Sequence, residues 1–443
     1  MRNIVIIGNG ISGVTTARHI RKHSEDSITI ISAETEHFFS RTALMYIYMG
    51  HMKYENTKPY EDFFWKKNRI DLVYDYVEQI DFKNKNLKLR KSERINYDVL
   101  VLAVGSKSNK FGWRGQDLEA VHGLYSYQDL ESMEKYSPTT QQAVIVGGGL
   151  IGIEMGEMFH TRSIDVTFVV RESSFWNNVL PPEESEMINR HIRKHGFKLM
   201  LESEITEILD DGNGRAKGVK LKDGRELKAQ FVGLTVGVSP NIAFLKESDL
   251  ETGRGIKVNE YFETNQPDVY AIGDCAEFHN APAGDRKPIE QVWYTGRMHG
   301  ETLAQTICGN KTAYEPGIWF NSAKFLDIEY QTYGQVSNQP NEETEEHFYW
   351  EHIKGEKSIR LVFHKEDKTL KGVNLMGVRY RHEVCDKMIR GQWPMKKVFQ
   401  NLKEANFDPE FFKRYEDELI GMYNEQYPND KVKLGRKKVL GLF

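Results

Sequence analysis

One pattern occurs twice in this chain, and it constrains the fold more than any other feature. Ile4-Val5-Ile6-Ile7 is a short apolar run leading into Gly8-Asn9-Gly10-Ile11-Ser12-Gly13. The periodicity then predicts a helix over residues 14–23 and a second strand over 28–31. Further on, the apolar run 143–146 leads into Gly147-Gly148-Gly149-Leu150-Ile151-Gly152. A helix is expected over 153–160 and a strand over 166–170. Each copy is a strand–turn–helix–strand unit of about 30 residues. Its first glycine permits a tight turn, its second lets a pyrophosphate approach the backbone, and its third lets helix and strand pack closely. The helix N-terminus offers unpaired N–H groups and a positive dipole end to phosphate. One such motif arises by chance. Two, each opening a helix after a strand, predict two dinucleotide sites: one at Gly8, Gly10, Ser12 and Gly13, the other at Gly147, Gly149, Leu150, Ile151 and Gly152.

An acid about 20 residues beyond the glycines holds ribose hydroxyls in such a unit. Glu34, just past the second strand, has that place in the first copy. The second copy ends Val169-Val170-Arg171-Glu172, with valine where the acid is usual. Arg171 suits a 2′-phosphate and so NADPH, whereas Glu172 suits the ribose of NADH. Both alternatives stay open.

At 443 residues the chain has room for two to three domains. A net charge of −4 with mixed signs shows no nucleic-acid signature. No apolar run reaches the roughly 18 residues of a membrane helix, and the N-terminus lacks a signal-peptide pattern, so a cytoplasmic location is expected. Cys275, Cys308 and Cys385 lie far apart and form no C-x-x-C pair, which excludes a dithiol within one short loop. No metal site is expected. His19 and His23 sit on the helix after the first glycine turn, and His191 and His195 stand among Arg190, Arg193 and Lys194, which repel a cation.

Further segments carry a family resemblance. Leu102-Ala103-Val104-Gly105-Ser106 resembles the short segment closing the first part of an FAD domain, and Leu234–Asn241, with Gly237, resembles its counterpart after a nucleotide domain. Val269-Tyr270-Ala271-Ile272-Gly273-Asp274 is similar to a second FAD motif. Together with the two glycine turns, these resemble the FAD-dependent pyridine-nucleotide oxidoreductases, among them glutathione reductase, NADH oxidases, and ferredoxin and rubredoxin reductases. The resemblance covers residues 1–312. It implies an α/β fold of two Rossmann-like, glutathione reductase-like domains followed by a C-terminal α+β domain. FAD would be bound by 1–112 and 243–312, NADH or NADPH by 113–242, and the C-terminal domain would be 313–443. It also implies site residues: Asp274 on the ribityl chain, Glu34 on the adenosine ribose, and Arg41, Ala103, Gly105 and Gly273 against FAD. Trp293 falls in the segment beside the flavin ring, with a core aromatic as its plainer reading. Glu154 matches a glutamate near the nicotinamide, with a dipole-favoured helix acid as its plainer reading.

Two departures bear on the chemistry. The ferredoxin-reductase lysine near the flavin falls on Tyr46, and the oxidase and peroxidase cysteine falls on Arg41. With no cysteine among residues 1–60, thiol-based peroxide or disulfide reduction at that place is excluded. No catalytic side chain is assigned. The expected reaction is hydride transfer from NAD(P)H to FAD, with electrons passing to an iron–sulfur protein, a quinone, oxygen or a small oxidant. The rival readings are a peripheral membrane NADH–quinone oxidoreductase and a redox-responsive flavin-binding protein with little turnover. A homodimer is one candidate assembly.

Beyond residue 312, Trp319–Lys324 and Tyr333-Gly334 resemble the small β-rich domain of the reductase branch. Strands are expected over 358–362 and 371–376, and helices over 382–402 and 409–423. The tail 431–443 is basic, then apolar, a pattern that fits a solvated end or a membrane-surface contact.

Overall fold

The computed structural model describes residues 1–92, 94–284, 286–407 and 413–435. The first repeat forms β1 (Asn3–Ile7), α1 (Ile11–His23) and β2 (Ser27–Ser32), followed by β3 (Ile70–Tyr74) and β4 (Val99–Leu102). The second forms β5 (Gln142–Val146), α2 (Leu150–Thr161) and β6 (Asp165–Val169). Next come α3 (Pro182–Lys194), β7 (Phe231–Leu234), β8 (Val269–Ala271) and α4 (Trp293–Ile307). The last third holds β9 (Phe320–Phe325), β10 (Ile328–Gly334), β11 (Glu345–Glu351), β12 (Ser358–His364), β13 (Leu370–Met376), α5 (His382–Arg390), α6 (Met395–Ala405) and α7 (Glu416–Gln426).

The chain forms two compact units. The first comprises Met1–Val169 and Ser203–Pro316. Its first sheet has strand order β8-β4-β1-β2-β3, with every pairing parallel. The buried runs Ile4–Ile7 and Leu100–Leu102 explain why these strands read as continuously apolar, since a parallel sheet is covered on both faces. Within the same unit β5 pairs in parallel with β6 on one side and β7 on the other. Close packing of α4 on α1 depends on glycine. A Cβ at Gly300 would stand 2.7 Å from the Ser12 carbonyl oxygen.

The second unit comprises Val170–Glu202 and Gly317–Phe443. Its antiparallel sheet has order β9-β10-β13-β12-β11. Phe348 and Phe363 of the sheet and Phe399 and Tyr423 of the helices share one buried core. Residues 170–202 belong to this unit because α3 is tied to the sheet: the buried Arg360 donates to Glu184 at 2.7 Å and to Glu183 at 2.6 Å. The single helix expected over 382–402 is two helices. Gly391 follows α5, and Pro394 sits at the N-cap of α6, because proline cannot donate within a continuing helix. The helix expected over 409–423 begins at Glu416 among the described residues; its expected start, like residues 436–443 of the basic, apolar tail, lies outside them. Among the described residues no helix is long and apolar enough to cross a membrane.

Candidate functional site

The first glycine turn is built by close approach. Gly8 stands at φ +112°, and a Cβ there would lie 2.1 Å from the Ala103 carbonyl oxygen, at the end of β4. A Cβ on Gly13 would lie 2.1 Å from the Gly8 carbonyl oxygen. Gly10 faces open space instead. It caps α1 with no side-chain hydrogen bond, so the first-turn amides open on a cavity of about 590 Å³. Ser12 is wedged in place: a Cβ on Gly273 would meet its Oγ at 2.3 Å and one on Gly296 at 2.7 Å. The backbone N–H of Gly273 donates to His299 Nδ1 at 3.1 Å. That bond needs a neutral imidazole, and burial, with the Arg286 charge, pushes His299 down to about 3.

Glu34 and Arg41 line the cavity as a bidentate pair at 2.6 and 2.7 Å. Glu34 also accepts the Tyr127 N–H at 2.9 Å, and Arg41 donates to the Tyr125 carbonyl and stacks 4.6 Å from the Tyr125 ring. The Tyr125 hydroxyl accepts the Ser106 N–H at 2.9 Å and donates to Asp274 at 3.1 Å. Burial pushes the Asp274 carboxyl up, against the pull of Tyr125, Ser106 and Arg41.

Ala103, Gly105, Asp274 and Trp293 line this same cavity. Trp293, at the first position of α4, is 37% exposed and so is not a core aromatic. The second repeat reaches the cavity through Leu150, Ile151 and Glu154 of α2. Burial pushes the Glu154 carboxyl up to about 7, with the Glu157 charge adding to it. Gly147, Gly149, Gly152 and Gly237 are not among the residues lining the cavity. Gly147 stands at φ +119° and packs on Thr235, and Gly149 caps α2 without a side-chain bond. Arg171 and Glu172 fall in the second unit, paired with each other at 2.8 Å. Tyr46 does not line the cavity, and neither does any cysteine among the described residues. Cys275 is fully buried and its thiol is pushed up to about 12 by burial, which keeps it protonated and inert.

Sequence reasoning missed Tyr125 and Asn9. Asn9 sits inside the glycine motif and donates to the Thr35 carbonyl at 2.8 Å, and its place in that motif was the available signal. Tyr125 lies in a loop just before the Ser126 N-cap of a short helix, and only the fold brings it to Asp274.

The uncapped helix end, the open face at Gly10 and the acid after β2 fit the phosphates and ribose of a dinucleotide. A family model described as pyridine nucleotide-disulphide oxidoreductase matches residues 2–300, and the chain belongs to this family. As such it is an oxidoreductase that uses FAD and NAD(P)H. Nitrite reductase (NAD(P)H) of Bacillus subtilis (strain 168) is 28% identical over 381 residues, 85% of this chain and 44% of that protein, so the chain spans less than half of that relative. Rubredoxin-NAD(+) reductase of Acinetobacter baylyi is 29% identical over 321 residues, 70% of this chain and 80% of that protein. The solved structure of an NAD-dependent persulfide reductase from A. fulgidus superposes with a TM-score of 0.83 at 22% identity, covering 96% of this chain and 84% of that one, a likeness of fold.

Proposed function

We propose that this chain draws hydride from NAD(P)H in the cavity described and delivers electrons to a small iron–sulfur or rubredoxin-type protein. The observation that carries the reading is that residues of both repeats line one cavity with no thiol on its wall. The rubredoxin reductase relative supports the acceptor class. When bound, FAD accepts hydride and releases electrons singly or in pairs.

The chain's own residues bind and orient. The α1 amides hold the pyrophosphate. Glu34, fixed by Arg41, accepts from the adenosine ribose. Asp274 takes a ribityl hydroxyl, with Tyr125 setting its direction. Trp293 and the start of α4 border the flavin ring, where the helix dipole favours negative charge. Glu154 and Ile151 flank the place of the nicotinamide. Residues 1–112 and 243–312 serve FAD, and 113–242 serve NAD(P)H. Without a cysteine to relay electrons, the acceptor must approach the flavin edge itself.

The test is an anaerobic titration of the purified protein with NADH and then NADPH, watching the visible flavin band. Oxidised rubredoxin or a two-iron ferredoxin is added next. Bleaching by a nucleotide followed by stoichiometric return with the iron protein is the expected result. Bleaching with return only by dithiol substrates or quinone sinks the acceptor assignment, and a band that neither nucleotide bleaches sinks the whole reading. Arg171→Ala separates the nucleotides: a role on the 2′-phosphate predicts a much larger loss for NADPH than for NADH, and equal loss removes that role.

A further inference from the structure

The second unit holds a side-chain cluster that oxidoreduction does not use. His191 lies on α3 and His195 at its C-cap. Asp327 lies in the two-residue turn between β9 and β10, which Leu326 enters at φ +58°. One ligand atom from each of the three lies within 4.8 Å of the others. His191 Nε2 is in hydrogen-bond contact with Asp327 Oδ1, and His195 Nε2 stands 3.5 Å from the same oxygen.

The hydrogen bonding around His195 orients its ring. Its Nδ1 lies 3.1 Å from the His191 carbonyl oxygen. A carbonyl only accepts, so Nδ1 carries the proton. The His195 Nε2 faces the same carboxylate oxygen that His191 contacts, so one donor atom from each of the three side chains converges on one point. A backbone carbonyl on the far nitrogen is also the arrangement that fixes the tautomer and aim of metal-bound histidines.

On sequence alone Arg190, Arg193 and Lys194 repel a cation here. In the fold Arg190 and Lys194 each have their own carboxylate. Arg190 donates to Glu351 at 2.5 Å, and Lys194 is paired with Glu356. Two of the three positive charges beside the cluster are thus offset. The remaining donor set, two imidazoles and a carboxylate, suits zinc and its borderline neighbours nickel, cobalt and copper rather than magnesium or calcium, which take oxygen ligands. His191 is 2% exposed in its side chain and Asp327 69%, so the cluster is anchored on one side and open to water on the other.

We propose that His191, His195 and Asp327 form a divalent transition-metal site that clips α3 to the β9–β10 turn. Water would complete the coordination on the open side. The metal stabilises the second unit because it binds the folded arrangement and not the separated ligands. The site is independent of the flavin cavity, which lies wholly within the first unit.

The test uses the full-length holoprotein, washed with a chelator and titrated with Zn²⁺ alone in competition with a chromophoric chelator. Three variants accompany it: His195→Ala, Asp327→Asn and, as a control, His23→Ala on α1. The expected result is one saturable Zn²⁺ per chain, weakened about tenfold or more by His195→Ala and by Asp327→Asn, and unchanged by His23→Ala. Zn²⁺ should raise the thermal midpoint of the wild type but not of the first two variants, and Mg²⁺ should raise neither. Far-ultraviolet circular dichroism confirms that the variants fold. No saturable binding, or binding that survives both substitutions in folded protein, overturns the proposal. A loss caused equally by His23→Ala does the same.

Discussion

Glu154 offers the sharpest quantitative test of the cavity. Burial on α2 lifts its carboxyl from the ordinary 4.5 to about 7. In the unfolded chain the same carboxyl ionises near its ordinary value. Between those limits the folded protein binds more protons at this position than the unfolded one, so stability falls as pH rises. At about 1.4 kcal/mol per pH unit, the loss totals roughly 3 kcal/mol, most of it between pH 5 and pH 8. Glu154→Gln keeps the shape and removes the titration. Its stability relative to wild type, from urea unfolding, should therefore rise by roughly 2 to 3 kcal/mol from pH 5 to pH 8. A bound flavin excludes more water from the carboxyl and keeps the direction of the effect. The infrared difference spectrum of wild type minus variant gives a direct check, with a carboxylic acid carbonyl band present below pH 7 and gone well above it. Parallel stability curves for the two proteins, together with no such band, would refute the reasoning.

The glycine turn should separate fold from binding. Gly8→Ala drives a Cβ into the Ala103 carbonyl at a left-handed φ and should lower the thermal midpoint. Gly10→Val enters open space, so it should lower the midpoint of flavin-free protein far less than Gly8→Ala does while weakening FAD retention on gel filtration. In the second unit Glu184→Ala leaves the buried Arg360 guanidinium without its main partner, which should cost about 3 kcal/mol or more in urea unfolding. Arg360→Met paired with Glu184→Leu should recover most of that, because replacing both charges removes the unpaired one.

How far the sequence speaks depends on what kind of information the structure needs at each place. The two repeats were legible because their glycines encode backbone contacts: Gly8 against Ala103, Gly147 against Thr235. Such contacts tolerate no side chain, so they leave a spaced signature. The partners of Asp274 were not legible. Tyr125 stands 149 positions away in a loop, and no local rule links it to the second FAD motif. The second unit was harder still. β12 reads as a strand because all but its last residue are buried, whereas β9 (FNSAKF) and β11 (EEHFYWE) mix charge into a half-covered sheet and show no clean alternation. The attachment of α3 to this sheet rests on ion pairs between residues some 160 to 180 positions apart, and sequence spacing is silent about them.

Arg41 shows how one position can redirect a shared scaffold. It falls where the resembling oxidases and peroxidases place their thiol, and its guanidinium forks onto Glu34. A cysteine at this point has no charge and too short a reach to hold Glu34 in that way. The same residue thus removes the thiol chemistry and fixes the carboxylate that we assign to the adenosine ribose. Under that assignment, the absent thiol and the fixed Glu34 carboxylate trace to one position. Under the function proposed above, electrons then leave the flavin for an acceptor that meets it without a thiol relay.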